Sequence, residues 1–217
     1  MFNLDSVSKS ELAMTELIAD VEGWCTPHKA CLLNQIAIQP DIHKSIEIGI
    51  YAGKSFFPVC AAYKEKGYGK HYGIEAWSNE VAIETVTTAV NDEWWSKVDI
   101  VLMKEKFLKK LLEENLFNYA AIVESDSNSA YGLFASARYE KTIDLLHIDG
   151  AHSVQQSLND VVKWSSLVKP GGYIFLDDID WPSVKLARTF LQQIGEEVYS
   201  ISDPARSDHF SVFKLDI

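Results

Sequence analysis

Ser45-Ile46-Glu47-Ile48-Gly49-Ile50-Tyr51-Ala52-Gly53-Lys54-Ser55 is a short apolar run that ends in glycines and leads into a helical pattern. Residues 45–49 read as a strand, and a helix is expected from Ser55, with Pro58 tolerated in its first turn. A strand, a glycine turn and then a helix is the opening unit of a parallel α/β sheet. In such sheets ligands bind beyond the carboxyl ends of the strands. Taken alone, the segment is equally an ordinary glycine turn.

The same alternation repeats on the C-terminal side. Strands are expected at 72–75, 120–123, 143–148 and 173–176. Helices are expected at 79–91, 97–116, 128–138, from Val154 to Val162, and at 182–195. In the helix at 97–116 the apolar face is read as Val101, Leu108, Leu111, Leu112 and Leu116. Lys169-Pro170-Gly171-Gly172 reads as a tight turn into the fifth strand. Two last strands, 197–202 and 209–215, are joined only by the short region Asp203 to Asp208, which implies an antiparallel hairpin. Two helices, 7–21 and 26–38, come first, the second with Thr26 as cap and Pro27 in its first turn. The expected fold is a doubly wound, Rossmann-like α/β sheet of about seven strands, five parallel plus the C-terminal hairpin. It forms one domain over 1–217, with a helical cap over 1–40 and the core over 41–217.

Composition narrows the class. Hydrophobic residues at 47% and charged residues at 24% are those of an ordinary globular chain, and 217 residues suffice for a full core. A net charge of −11 repels phosphate backbones, so no nucleic-acid partner is expected. Cys25, Cys31 and Cys60 form no CxxC pair and read as reduced thiols. Met1 to Ser10 lacks the pattern of an export signal, and no apolar run reaches the ~20 residues of a membrane span. The expectation is a cytoplasmic protein without a membrane partner.

The strand ends carry chemistry in order. Gly49 and Gly53 do not make the GxGxxG of a pyrophosphate site, because Tyr51 stands where the middle glycine would be. Glu75 closes the second strand, where a carboxylate can accept from both hydroxyls of a ribose. Ala76 and Trp77 follow it, and Trp77 is placed to flank an adenine. Ser125, Asp126 and Ser127 end the third strand, within reach of an adenine edge. Glu47, Gly49, Tyr51, Gly53 and Ser55 complete the expected cofactor set, together with Asp149 at the end of the fourth strand.

Glu47 to Ser55 resembles the cofactor motif of the small-molecule O-methyltransferases, the catechol O-methyltransferase group among them. The similarity is closer to the class I methyltransferases of the macrocin-type sugar O-methyltransferase family. Its features recur as Gly23-Trp24, as Leu145 to Ser153, as Trp164, as Lys169 to Gly172 and as Asp177-Asp178. The resemblance implies S-adenosylmethionine as cofactor, O-methylation of a hydroxyl on a small molecule or sugar, and Mg²⁺ held by Asp149, Asp177 and Asp178.

Three carboxylates converging on neighbouring strand ends repel unless a cation joins them, and an all-oxygen set suits Mg²⁺, with other divalent ions possible. The alternative for Asp177 and Asp178 is helix capping, which is also the reading of Asp180. His152 follows Asp149 by three residues. In the resemblance this position takes the acceptor's proton, so His152 and Asp149 are the expected catalytic residues. His147, in mid-strand, reads as buried and satisfied. His28 and Lys29 are placed to meet the cofactor's carboxylate, and Trp24, Trp94, Trp95 and Trp181 to stack on a sugar. The rivals are a metal-independent methyltransferase, a nicotinamide-dependent oxidoreductase and a non-catalytic binding module. A homodimer through the N-terminal helices is a further expectation.

Overall fold

The computed structural model describes residues 7–84, 86–136 and 138–216. Most of the expectation on export, Met1 to Ser10, falls on residues outside that span. Seven strands form one sheet: β1 (Lys44–Ile48), β2 (Lys70–Glu75), β3 (Ala120–Glu124), β4 (Ile143–Ile148), β5 (Val168–Asp177), β6 (Gly195–Asp203) and β7 (Asp208–Leu215). Their order is β3-β2-β1-β4-β5-β7-β6. The first five are parallel, and β7 runs antiparallel to both β5 and β6. This is the expected Rossmann-like layout with its terminal hairpin. The chain reverses its winding between β1 and β4, so their carboxyl ends form the switch point of the sheet.

Helices cover both faces. α7 (Ser127–Phe134), α8 (Val154–Ser165) and α9 (Lys185–Ile194) lie on one, where Trp164 packs fully buried among Ile46, Leu146, Ile174 and Phe213. The other face carries α2 (Pro27–Ala37), α3 (Phe56–Lys66) and α6 (Ile100–Glu113). Leu33 and Ile36 of α2 pack there with Tyr63 of α3 and with Leu145, Phe175 and Val212 of the sheet. α2 thus shares the sheet's core, and α1 (Val7–Ile18) rests on it through Met14, Ile18, Ala30 and Cys31.

Between β2 and β3 the chain departs from the sequence reading. Two short helices, α4 (Asn79–Ala82) and α5 (Ala89–Lys97), replace the single helix expected at 79–91, and a break at Val98 and Asp99 precedes α6. Asp99 caps α6 by accepting from the Leu102 amide at 3.0 Å. The buried stripe of α6 is Ile100, Met103, Phe107 and Leu111. Val101 and Leu112, assigned to that stripe from sequence, are exposed, because a 3.6-residue repeat starting at Ile100 carries them off the buried side. The Lys169 to Gly172 turn is a looped insertion inside β5: Val168 pairs with Ile143 and Tyr173 with Leu145. Gly171 there has φ +77°.

One close approach fixes the switch point. Gly49 has φ +85°, and a Cβ at that position would stand 2.0 Å from the Asp149 carbonyl oxygen. The Gly49 amide donates to Ile74 O at 3.0 Å, and the Asp149 amide to Ile48 O at 2.9 Å. The loop after β1 and the loop after β4 therefore touch backbone to backbone. Replacing Gly49 with alanine should lower unfolding stability by about 3 kcal/mol or more, since both loops must move. Urea denaturation of Gly49→Ala beside the parent measures it; an unchanged midpoint would mean that the two loops are not locked together.

Candidate functional site

A cavity of about 1050 Å³ opens at the switch point, over the carboxyl ends of β1 to β5. Its nucleoside-like end is built by β1, β2 and β3. Glu75 Oε2 accepts from the amides of Ile50 and Tyr51 at 3.0 and 2.9 Å, and Oε1 accepts from the Trp77 amide at 2.9 Å. One carboxylate thus folds the loop after β1 onto the end of β2 and supports Tyr51 at φ 49°. Of the carboxylate's four acceptor sites one remains, on Oε1. Gly49, Tyr51, Glu75, Ala76, Asp126 and Ser127 all line the cavity, as their sequence positions imply. Asp126 also caps α7 through the Ser129 amide at 3.0 Å. Asp160 of α8 joins them, accepting from Ser127 Oγ at 2.7 Å and from Gln156 Nε2 at 2.9 Å. Burial pushes its carboxyl up to about 6.

Other expected cofactor residues are placed elsewhere. Glu47 is fully buried beneath the cavity, where Ser55 Oγ donates to it at 2.5 Å and His71 Nε2 lies 3.1 Å away. Glu47 precedes the last residue of β1, so its side chain points through the sheet face toward α3 and cannot reach over the edge. Ser55 lines the cavity, but its hydroxyl is committed to Glu47. Gly53 makes room for rings: a Cβ there would meet Phe107 at 2.5 Å and Phe57 at 2.8 Å. Trp77 turns away at φ 40°, packs on Phe107 and donates from Nε1 to Tyr51 O at 2.9 Å. It braces the loop and is not among the residues that line the cavity.

At the other end, Asp149, His152, Asp177, Asp178 and Lys29 all line the cavity. Asp177 is buried between two nitrogens. The Lys29 ammonium donates to Oδ2, and His147 Nε2 lies 3.0 Å from the same oxygen. Lys29 also stands 3.7 Å from Asp149 Oδ2. His147 Nδ1 faces Glu47 Oε1 at 3.6 Å, which makes an ion pair but no hydrogen bond. Burial opposes charge throughout, but on Lys29, Asp177, His147 and Glu47 the partners outweigh it. Lys29 and His147 hold the Asp177 carboxyl far below its usual range, and the two carboxylates lift His147 to about 10. Glu47 falls to about 2 through His147 and His71. The sequence reading of His147 as buried and satisfied is right about its burial and misses its charge.

His152 Nε2 meets Asp178 Oδ2 at 2.5 Å, and the ring lies 4.6 Å from that of Trp181. Burial works against the imidazolium, but Asp178 raises the His152 pKa above its ordinary value. Among the described residues, potential ligand atoms gather within 4.8 Å in two groups, His147 with Asp149 and Asp177, and Asp149 with His152 and Asp178. The expected trio Asp149, Asp177 and Asp178 is not one of them, because Asp177 is turned toward Lys29 and His147. Lys29 meets the aspartates. His28 bonds Asp208 Oδ2 at 3.2 Å and Tyr199 at 3.2 Å, and of these Asp208 lines the cavity. His209 lies 3.8 Å from Asp180, which the sequence reading confined to capping.

Glu84 escapes sequence reading, and so does the contact between aromatics that the sequence names singly. Glu84 accepts from the His152 amide at 2.7 Å and the Ser153 amide at 3.0 Å, joining the segment after β2 to the start of α8. Trp24, Tyr51, Trp94 and Trp95 form an aromatic cluster, with Trp24 stacked on Tyr51 at 5.8 Å and Trp94 edge-on to Trp24 at 5.0 Å. Trp24 remains largely exposed. No spacing rule connects residues so far apart in the chain.

No curated protein matches this chain. Among solved structures, the O-methyltransferase NovP aligns with 98% of this chain and 98% of its own, at TM-score 0.70 and 10% identity. The O-methyltransferase TomG from Streptomyces achromogenes, involved in tomaymycin synthesis and solved with SAM, covers 100% and 92%, at TM-score 0.64 and 15% identity. An O-methyltransferase from Bacillus cereus, solved with SAH, covers 100% and 93%, at 0.63 and 13%. Identities this low speak for the fold alone. Residues 46–179, more than half of the chain, match the family model described as a methyltransferase domain, and the chain belongs to that family.

Proposed function

We propose that this methyltransferase is an S-adenosylmethionine-dependent O-methyltransferase acting on a hydroxyl of a small molecule or sugar, in the cytoplasm. The observation that carries the reading is the shape of the cavity: Glu75, Asp126 and Ser127 at one end, Asp149, His152 and Asp178 at the other. The ends suit a nucleoside and a reacting hydroxyl respectively. The solved neighbours TomG and the Bacillus cereus enzyme carry SAM and SAH, which agrees with this use of the cavity.

Glu75 would hold a ribose hydroxyl, and Asp126 and Ser127 the adenine edge. When bound, the cofactor supplies a methyl group on a sulfonium, already activated toward an oxygen nucleophile. The chain's work is then alignment and proton removal. His152 Nε2 donates to the Asp178 carboxylate, so the imidazole would take the hydroxyl proton on Nδ1. Asp178 and Trp181 keep its ring in that direction, while Glu84 fixes its backbone.

A divalent cation fits this site in altered form. Asp149 and Asp178 are carboxylates partly open to the cavity, with His152 beside them, and two carboxylates plus outer oxygens is a usual Mg²⁺ set. Burial, and then the neighbouring Asp177, drive the Asp149 carboxyl well above the ordinary carboxylate range. A bound Mg²⁺ would supply Lewis acidity toward the acceptor hydroxyl. Asp177 is left out of the set, since Lys29 and His147 hold it.

Three outcomes test the reading. S-adenosylhomocysteine should raise the melting temperature where NAD does not, and Glu75→Ala should abolish the shift; stabilisation by NAD alone would overturn the cofactor assignment. His152→Ala should lower kcat about 10²–10⁴-fold while S-adenosylhomocysteine still binds; turnover that persists removes His152 from the base role. In a screen of glycosylated and catecholic acceptors, excess EDTA should stop methyl transfer and Mg²⁺ restore it. Full turnover in chelator would refute the cation.

A further inference from the structure

Among the described residues, Lys29 is the ammonium that an element outside the strand ends plants among the site's carboxylates. It sits in the first turn of α2, only 8% exposed, and donates to Asp177 while standing 3.7 Å from Asp149. Its placement is not that of a flexible arm. Thr26 caps α2 by accepting the Lys29 amide at 3.1 Å, and its hydroxyl donates to Asp208. His28 bonds the other Asp208 oxygen at 3.2 Å and Tyr199 at 3.2 Å. The first turn of α2 is therefore bolted to the β6–β7 hairpin, and Lys29 is delivered to Asp177 from a fixed base.

This arrangement has a consequence for any cation at Asp149 and Asp178. A fixed positive charge a few ångströms away repels a divalent ion, and it occupies the oxygen of the one neighbouring carboxylate that would otherwise be a third ligand. We propose that Lys29 sets the donor number and strength of the divalent-cation site, by holding Asp177 out of it and leaving Asp149 and Asp178 as the two available carboxylates. The inference rests on the cation reading above. Its chemical sense follows from charge: fewer anionic donors leave more of the ion's field for the acceptor oxygen, and a weaker site exchanges its ion more readily.

The test is direct binding, without methyl donor or acceptor. Mn²⁺ is titrated into the whole protein, with free Mn²⁺ followed by electron paramagnetic resonance. The parent should bind weakly. Lys29→Met, which removes the ammonium and leaves Asp177 bonded to His147, should bind about tenfold tighter or more. Lys29→Gln keeps a neutral donor toward Asp177 and should also gain affinity, by less; it serves if the methionine variant does not fold. The double variant Lys29→Met/Asp177→Asn should lose the gain. A folded Lys29→Met or Lys29→Gln protein that binds Mn²⁺ no tighter than the parent overturns the proposal while leaving the cation reading intact. No Mn²⁺ binding by parent and folded variants alike overturns the cation reading and this inference with it.

Discussion

Asp177 is a carboxylate that the fold buries at the end of β5 with almost no access to water, and a buried charge needs partners. It has two, supplied by distant parts of the chain. His147 comes from the adjacent strand, one side chain inward from the sheet edge. Lys29 comes from α2, which must then lie over β4, β5 and β7 for its ammonium to arrive. The requirement propagates. His147 faces Glu47, Glu47 binds His71 and Ser55, and His71 Nδ1 meets Ser45 Oγ at 2.8 Å, which in turn accepts from Tyr63 at 2.9 Å. A row of alternating charge and hydrogen bond thus crosses β5, β4, β1 and β2 beneath the cavity. Each member is tolerable only because its neighbours are present, so the floor of the site is specified as a unit.

Much of the fold was legible because it rests on local signals. The strands are short and apolar, the turns carry glycine or proline, and the hairpin follows from the shortness of the region Asp203 to Asp208. The part of the site built from strand ends was legible for the same reason: Glu75, Asp126, Asp149 and His152 are found where the alternation puts them. What failed was direction. Glu47 and Trp77 stand at strand ends, but one lies a residue too early and points into the sheet, and the other turns at φ 40° onto Phe107. Position along a strand end is written in periodicity; the torsion of a single residue there is decided by packing partners far away in sequence. Lys29 with Asp177, and Glu84 with His152, belong to the same category. The misread helices at 79–116 have a different cause. The stretch contains few breakers, so the break is set by the Asp99 cap and by tertiary burial of Phe107, not by composition.

The two ends of the cavity are not independent, and the coupling runs through the segment that sequence reading found hardest. Residues 78–84 and 86–95 follow β2 just after Glu75 and form much of one wall. Val81, Val86 and Val90 are at least half exposed although they line the cavity, so their apolar surface stays wet until something occupies the space. Covering such surface is worth about 25 cal/mol per Å². The same segment reaches the backbone of His152 and Ser153 through Glu84, and joins Trp24 and Tyr51 through Trp94. A ligand that covers the valines therefore presses on a wall bonded at one point to the residue proposed to take the proton, and at another to the loop braced by Glu75. The wall that faces the cavity is thus tied both to the backbone of His152 and to the loop braced by Glu75, so a single segment of chain joins the two ends of the site.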